Sequence, residues 1–475
     1  MPPGCLPGHF ESQIFLGWFK KIFSPNNPFN IMKKLGAGDL HHQFERVISL
    51  FTGKAARQGY LASIDQSIIS LSNFIATIIL ARNASPTELG VYGVGFTALR
   101  LIRAIQDGLI IQPLNTFGAG LTNCKWRIYF SSTGVFQIAL AMLLSFGAVV
   151  AGWLLSESGN DTAGPAMSSL WSVFLFWQLF EFIRRTLYTR ANVQYAVIMS
   201  TLSNIVRILF MLWLIIQDNL TGTTTILAIS IGSLIGMIPG LWKTKNFWVH
   251  HGLRLRETWD KNWRFGKWIL GSSTANWLAL EFYPVLAAGL ISFAAAGAYR
   301  AIQNLVAPIH VLIRATDTFL TPRAAKLYDQ SGLPGLSQTI RITYLIIAVP
   351  VFGVLVFALL FPEQLLNLFY GDTYNQYSSG VIFMALSYVF LFGYSPVVTA
   401  LKAVRIGQPI FIASIAAITA MFTVGIFLVI KRDVYGTLAG QALNSFLIFT
   451  ILWMSWYSIR KGLHTPSQQS EPNPD

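Results

Sequence analysis

Residues 88–120 read ELGVYGVGFTALRLIRAIQDGLIIQPLNTFGAG. From Gly90 to Pro113 the run is mostly apolar, and as a helix it would extend about 36 Å, enough to cross a bilayer. Within it stand Arg100, Arg103 and Asp107. One arginine at the centre of a membrane helix costs about 2.5–3.5 kcal/mol on insertion scales, so such charges are seldom idle. The spacing i, i+3, i+7 puts all three on one helix face. The helix therefore has a lipid side and a cationic side, and the cationic side must look into a wet interior. This reads as a membrane protein with a positively charged cavity.

Composition agrees. The chain has 475 residues, 53% of them hydrophobic and 11% charged, against about 25% charged in soluble domains. A net charge of +14 would point to nucleic acid in a soluble chain. Here basic residues instead collect in cytoplasmic loops and hold the topology, so no nucleic-acid partner is expected. Cys5 and Cys124 fall in segments placed in the cytoplasm, which argues against a disulfide. His41-His42 and His250-His251 have no third ligand at metal spacing, so neither a metal nor a cofactor is expected.

Hydropathy places about twelve spans, near 58–81, 90–113, 129–155, 165–186, 193–217, 224–242, 267–290, 297–320, 341–361, 378–401, 408–430 and 434–458. Charge bias orients them with both termini in the cytoplasm. Inner loops hold Lys125 and Arg127, Arg184, Arg185 and Arg190, Arg323 and Lys326, and Lys402 and Arg405; outer loops hold Glu157, Asp161, Asp218, Glu363 and Asp372. Arg82, Lys431 and Arg432 run against the bias.

The expected organisation is a 1–56 cytoplasmic leader, partly disordered or interfacial, then a first six-helix lobe over 57–242. A basic, Trp-rich cytoplasmic loop follows over 243–266, then a second lobe over 267–459 and a disordered tail over 460–475. No signal peptide is read in the leader. Phe10–Phe23 would make a short interfacial helix, and the leader is taken as dispensable, with Met32 as an alternative start. Trp248, Trp259, Trp263 and Trp268 among the loop's cations predict a helix on the inner leaflet.

The halves resemble each other at an offset of 207 residues. Arg57-Gln58-Gly59 falls on Arg264-Phe265-Gly266, Gly90-Val91-Tyr92 on Gly297-Ala298-Tyr299, and Ser85 on Ser292. Repeats of this kind place a substrate site between the halves near the midplane. Span eight carries the longest polar stripe, Arg300, Gln303, Asn304, His310, Arg314 and Asp317, and it pairs with span two under the repeat. Cations outnumber acids, so an anionic substrate fits, with arginine favoured for bidentate phosphate contacts. Arg100, Arg103, Arg207, Arg300, Gln303 and Asn304 are the candidate binding residues. Asp65, Glu181, Glu281 and His310 are candidates for ion coupling or for ion pairing with the arginines.

The segments Arg57-Gln58-Gly59, ATIILARNASPTELGVYGVGFTALRLI (76–102) and FEFIRRTLYTRANVQYAVIMSTLSNIVRILF (180–210) carry a resemblance. They are similar to the polysaccharide flippases of the multidrug/oligosaccharidyl-lipid/polysaccharide (MOP) exporter superfamily, nearest to O-antigen (Wzx-like) translocases. The resemblance implies an all-α polytopic membrane protein of twelve helices in two lobes, V-shaped like the multidrug exporters. Its activity would be moving an undecaprenyl-pyrophosphate-linked oligosaccharide from the inner to the outer leaflet by alternating access. The setting would be a bacterial inner membrane, with membrane lipids and glycan polymerase machinery as partners. The two extra helices of lipid II flippases are missing.

Two other classes compete. A small-molecule antiporter would want an acidic cavity, which the arginine excess opposes. A membrane-embedded glycan polymerase or ligase would need a catalytic surface outside. The outer loops are short and no clustered nucleophile or metal motif stands in them, so no enzyme activity is expected.

Overall fold

The computed structural model describes residues 54–464. The expected leader helix at Phe10–Phe23, His41-His42 and the end of the tail lie outside the described residues. By contacts the chain divides after Tyr60, and the unit from Leu61 onward is one compact body.

The described residues are helical almost throughout. α1 is Lys54–Asn83 and α2 is Pro86–Gln106, followed by a π turn Asp107–Ile111 and α3, Gln112–Gly118. Then come α4 Asn123–Glu157, α5 Ala163–Thr189, α6 Val193–Ile216, α7 Gly222–Gly236 and α8 Ile238–Thr244. The second half holds α9 Leu255–Glu281, α10 Tyr283–Leu290, α11 Phe293–Leu305, α12 Ala307–Leu360 and α13 Pro362–Tyr370. It ends with α14 Val381–Ala403, α15 Gln408–Ala420 and α16 Ile426–His464.

Every predicted span falls on helix. The breaks have visible causes: proline opens α8, α10, α12 and α13 within their first turn, where its missing N–H is not needed. Two long helices each hold two stretches joined by one non-helical residue. Gly332 at φ 61° turns α12, and Asp433 at φ 48° turns α16. Both residue types tolerate the left-handed region better than a branched side chain would.

Eight stretches among the described residues are long and apolar enough to cross a membrane, and the last, Gln408–Lys461, contains predicted spans eleven and twelve. Predicted spans two, seven and eight are not among the eight. They are the ones that carry Arg100 and Arg103, Glu281, and Arg300. The exterior is apolar and the interior carries charge: Ile216 is 77% and Val349 76% exposed, whereas Asp65 is 1%, Glu181 2% and Arg184 4% exposed. In water that distribution would cost heavily; around a lipid-facing bundle it is what solvation requires.

The repeat has a structural counterpart. Ser85 and Ser292, one offset apart, are both N-caps: the Ser85 hydroxyl accepts from Glu88 N–H and the Ser292 hydroxyl from Ala295 N–H. The helices they start, α2 and α11, then cross through glycine. A Cβ on Gly90 would stand 1.7 Å from the Phe293 carbonyl oxygen, and one on Gly297 would stand 2.3 Å from the Pro86 carbonyl oxygen. Gly90 with Gly297, and Pro86 with Phe293, are pairs at the same offset, so the contact is reciprocal. Small residues let membrane helices approach this closely.

Two expectations need correction. The 243–266 segment is not a loop with its own surface helix: after a 3-10 turn at Lys245–Phe247, α9 starts at Leu255 and runs unbroken into predicted span seven. Trp248 packs on Phe130 (4.8 Å between ring centres), and Trp259 stacks on Trp263 and meets Phe136. The aromatic residues of this segment therefore seat it on the first half. Arg184, expected in an inner loop, lies inside α5 and is buried. Its helix does not end until Thr189, and two carboxylates hold it.

Candidate functional site

A cavity of about 820 Å³ lies between the two halves of the sequence, walled by α1, α2, α5, α6 and α7 on one side and by α9, α11 and α12 on the other. Of the ten residues singled out in the sequence, nine line it: Arg100, Arg103, Arg207, Arg300, Gln303, Asn304, Glu181, Glu281 and His310. Asp65 is buried behind the wall. Six arginines line the cavity (Arg100, Arg103, Arg184, Arg207, Arg300 and Arg314) against three carboxylates (Asp107, Glu181 and Glu281), a formal excess of three positive charges.

Arg314 apart, the charges sort into three groups. In the first, Glu181 is held by Arg184 through Nε at 2.7 Å and Nη2 at 2.8 Å, and by Arg185 Nε at 2.7 Å. Arg184 also donates from Nη1 to Asp65, and Tyr188 donates its hydroxyl to the same Asp65 oxygen at 2.6 Å. Arg103 lies 4.0 Å from Glu181 and 3.8 Å from Asp107. Burying any of these ions alone would cost several kcal/mol, and the reciprocal bonds offset that cost. Asp65 and Glu181 are thus ion-pair partners in this structure.

The second group is a bridge. Arg100 on α2 pairs with Glu281 on α9, tying the first half of the chain to the second across the cavity.

The third group has no carboxylate within ion-pair distance among the described residues. Arg207, 4% exposed, donates to Asn73 Oδ1 at 2.7 Å and to the Tyr92 hydroxyl at 2.8 Å. Arg300, 6% exposed, donates to Gln303 Oε1 at 2.8 Å. Its guanidinium lies over the Phe96 ring, which Arg100 shares from 5.1 Å. Neutral partners hold both side chains without neutralising them, and the Nε of each is buried with no acceptor among the described residues. Asn304 closes this end of the wall by donating to the Tyr370 hydroxyl at 3.0 Å.

Two other polar residues on these helices lie outside the cavity lining. Gln178, in line with Glu181 on the sequence, joins Gln106 and Gln137 in a buried network that ties α5 to α2 and α4. Asp317, the last of the span-eight stripe, does not line the cavity; it accepts from Tyr344 and Thr399. His310 faces the cavity with its ring against Tyr388, 5.0 Å between centres. The α2 stripe ends at the π turn, where Gly108 is pressed on α9: a Cβ there would meet Leu270 Cα at 2.8 Å. Extra-residue turns of this kind are frequent at functional sites.

Sequence reasoning missed Asn73, Tyr92, Phe96 and Arg184. Phe96 had a signal, its i, i+4 spacing to Arg100. Arg184 was masked by the doublet Arg184-Arg185 near a helix end. Asn73 and Tyr92 had none, because their role depends on a third helix, α6, reaching them.

A bundle of apolar helices around a charged cavity between two related halves is the fold of solved MOP superfamily transporters. The chain is similar to an inward-facing multidrug resistance MATE family transporter of that superfamily, at 13% identity and a TM-score of 0.71, over 85% of this chain and 99% of that one. It is similar to the lipid II flippase MurJ in an inward closed conformation, at 14% identity and 0.65, over 84% and 88%. It is also similar to a MOP superfamily transporter from Pyrococcus furiosus described by the reverse polarity of its binding pocket, at 14% and 0.58, over 88% and 98%. No curated protein matches the chain in sequence. The family model described as polysaccharide biosynthesis protein matches residues 79–379, more than half of the chain, and the chain belongs to that family. Its fold is that of these transporters, and it is a multi-pass membrane protein.

Proposed function

We propose that this protein flips a polyprenyl-pyrophosphate-linked oligosaccharide, a polysaccharide or O-antigen repeat unit, from the inner to the outer leaflet of a bacterial inner membrane. The observation that carries the reading is the pair Arg207 and Arg300, buried in the cavity wall and held, among the described residues, by neutral partners. An anion in the cavity would meet two cations that no described carboxylate pairs with, and a pyrophosphate offers the acceptor oxygens that guanidinium forks match. The glycan would occupy the remaining cavity volume and the prenyl tail the lipid. Transport would proceed by the two six-helix lobes rocking about the site, with both termini cytoplasmic. Glycan polymerase machinery would receive the product.

Replacing Arg207 or Arg300 by Ala should abolish surface glycan in a complementation assay while the membrane protein level stays unchanged. Full activity of both variants would overturn the reading.

A second reading is a small-molecule antiporter, favoured by the similarity to multidrug MATE transporters. Its acidic requirement would fall on Asp65, Glu181 and Glu281, each of which is already paired with arginine. A drug-sensitive phenotype in a deletion strain with normal surface glycan would favour it.

A further inference from the structure

One end of the bundle carries a set of contacts between its two halves that stand outside the charged site. Arg82, in the last turn of α1, donates from Nε to the Phe369 carbonyl at 2.9 Å and from Nη2 to the Leu368 carbonyl. These carbonyls belong to the last turn of α13, where unpaired C=O groups carry partial negative charge and favour a cation. Phe74, two turns earlier on α1, meets Phe369 edge to face at 5.2 Å. The glycine crossing of α2 and α11 starts at the helix ends on this same side. From within, Asn304 of the cavity wall donates to the hydroxyl of Tyr370, the last residue of α13. Residues 368–370 are therefore gripped from both sides, by Arg82 outside and by Asn304 from the cavity.

The placement of Arg82 is otherwise costly to explain. It lies against the charge bias that sends most other basic loop residues to the opposite side. It is exposed, yet two of its nitrogens, Nε and Nη2, donate to backbone acceptors of a helix from the other half.

The geometry points to a strap: the last turn of α13, held by Arg82 from one side and by Asn304 through Tyr370 from the other, keeps the Gly90/Gly297 seam between the two halves closed. Loss of either hold leaves the turn on the other and on the Phe74–Phe369 contact, and the seam parts more readily. The inference relies on the flippase reading only for naming this side the outer one; the bonds that make the strap do not depend on it.

The test uses the full chain with Cys5→Ser and Cys124→Ser, carrying Gly93→Cys with Arg300→Cys. A Cβ on Gly93 would stand 3.4 Å from Arg300 Cβ, close to disulfide spacing. Oxidation in membranes, read as loss of thiols to a maleimide polymer, reports a closed seam. The pair should cross-link readily. Arg82→Ala should slow cross-linking about tenfold, Arg82→Lys less, and Tyr370→Phe, which keeps the ring on Tyr374, to a similar extent. Each variant is first shown to elute as a single species in detergent. Unchanged rates in both Arg82→Ala and Tyr370→Phe would overturn the strap. In a separate arm, a membrane-impermeant thiol reagent should label Phe369→Cys in intact cells once Arg82 is Ala. Labelling confined to inverted vesicles would contradict the orientation while leaving the cross-linking result to decide the strap.

Discussion

Arg300 lies over the face of Phe96, 4.7 Å from guanidinium carbon to ring centre, one residue from each half of the chain. The ring holds the cation in place without cancelling its charge. With the neutral Gln303 amide as its hydrogen-bond acceptor among the described residues, Arg300 keeps its positive charge for whatever enters the cavity.

Arg300→Lys should not restore transport. Lysine keeps the charge but loses the planar fork and the stacking on Phe96. Transport in a complementation assay should fall about tenfold or more relative to wild type, with Arg300→Gln lower still. Equal surface glycan from the Lys variant would mean that charge alone suffices there.

Arg184 is expected to be structural. Replacing it by Leu leaves Asp65 without its ion-pair partner, and Glu181 loses its bidentate contact. Loss of one partner from a buried ion group costs about 3–5 kcal/mol. The variant should fail to elute as folded protein in detergent, and adding Asp65→Asn should recover part of the loss. Wild-type thermal stability in the single variant would show that the network is not what holds α5 to α1.

The two N-caps give a check on the repeat. Ser85→Ala and Ser292→Ala remove equivalent side-chain acceptors, and each should cost about 1 kcal/mol. The Ser292 bond is the shorter, 3.1 Å against 3.4 Å, so its loss should be the larger in a thermal melt in detergent. A large loss for one and none for the other would mean that the two helix starts are not equivalent.

Much of the fold could be read from hydropathy, because a lipid-facing helix needs an apolar run whatever its neighbours are. The cavity was legible for the complementary reason: Arg100, Arg207 and Arg300 interrupt such runs and have nowhere else to go. What could not be read was pairing. Arg100 and Arg207 look alike in the sequence, yet Glu281, 181 residues away, neutralises one, while Asn73 and Tyr92 hold the other without neutralising it. Arg184 was misplaced because hydropathy cannot tell a helix that ends at a double arginine from one that buries its first member against Asp65. The start of α9 was missed because its first turns are polar and amphipathic, and its aromatic seat on α4 is a tertiary contact.

The most direct test of the account is binding of undecaprenyl pyrophosphate to the purified protein in detergent, compared with the Arg207→Gln/Arg300→Gln double variant. The account predicts binding to wild type that weakens with added salt, and affinity at least about tenfold lower in the double variant. Equal affinity for the two proteins would contradict the claim that these two arginines form the anion site.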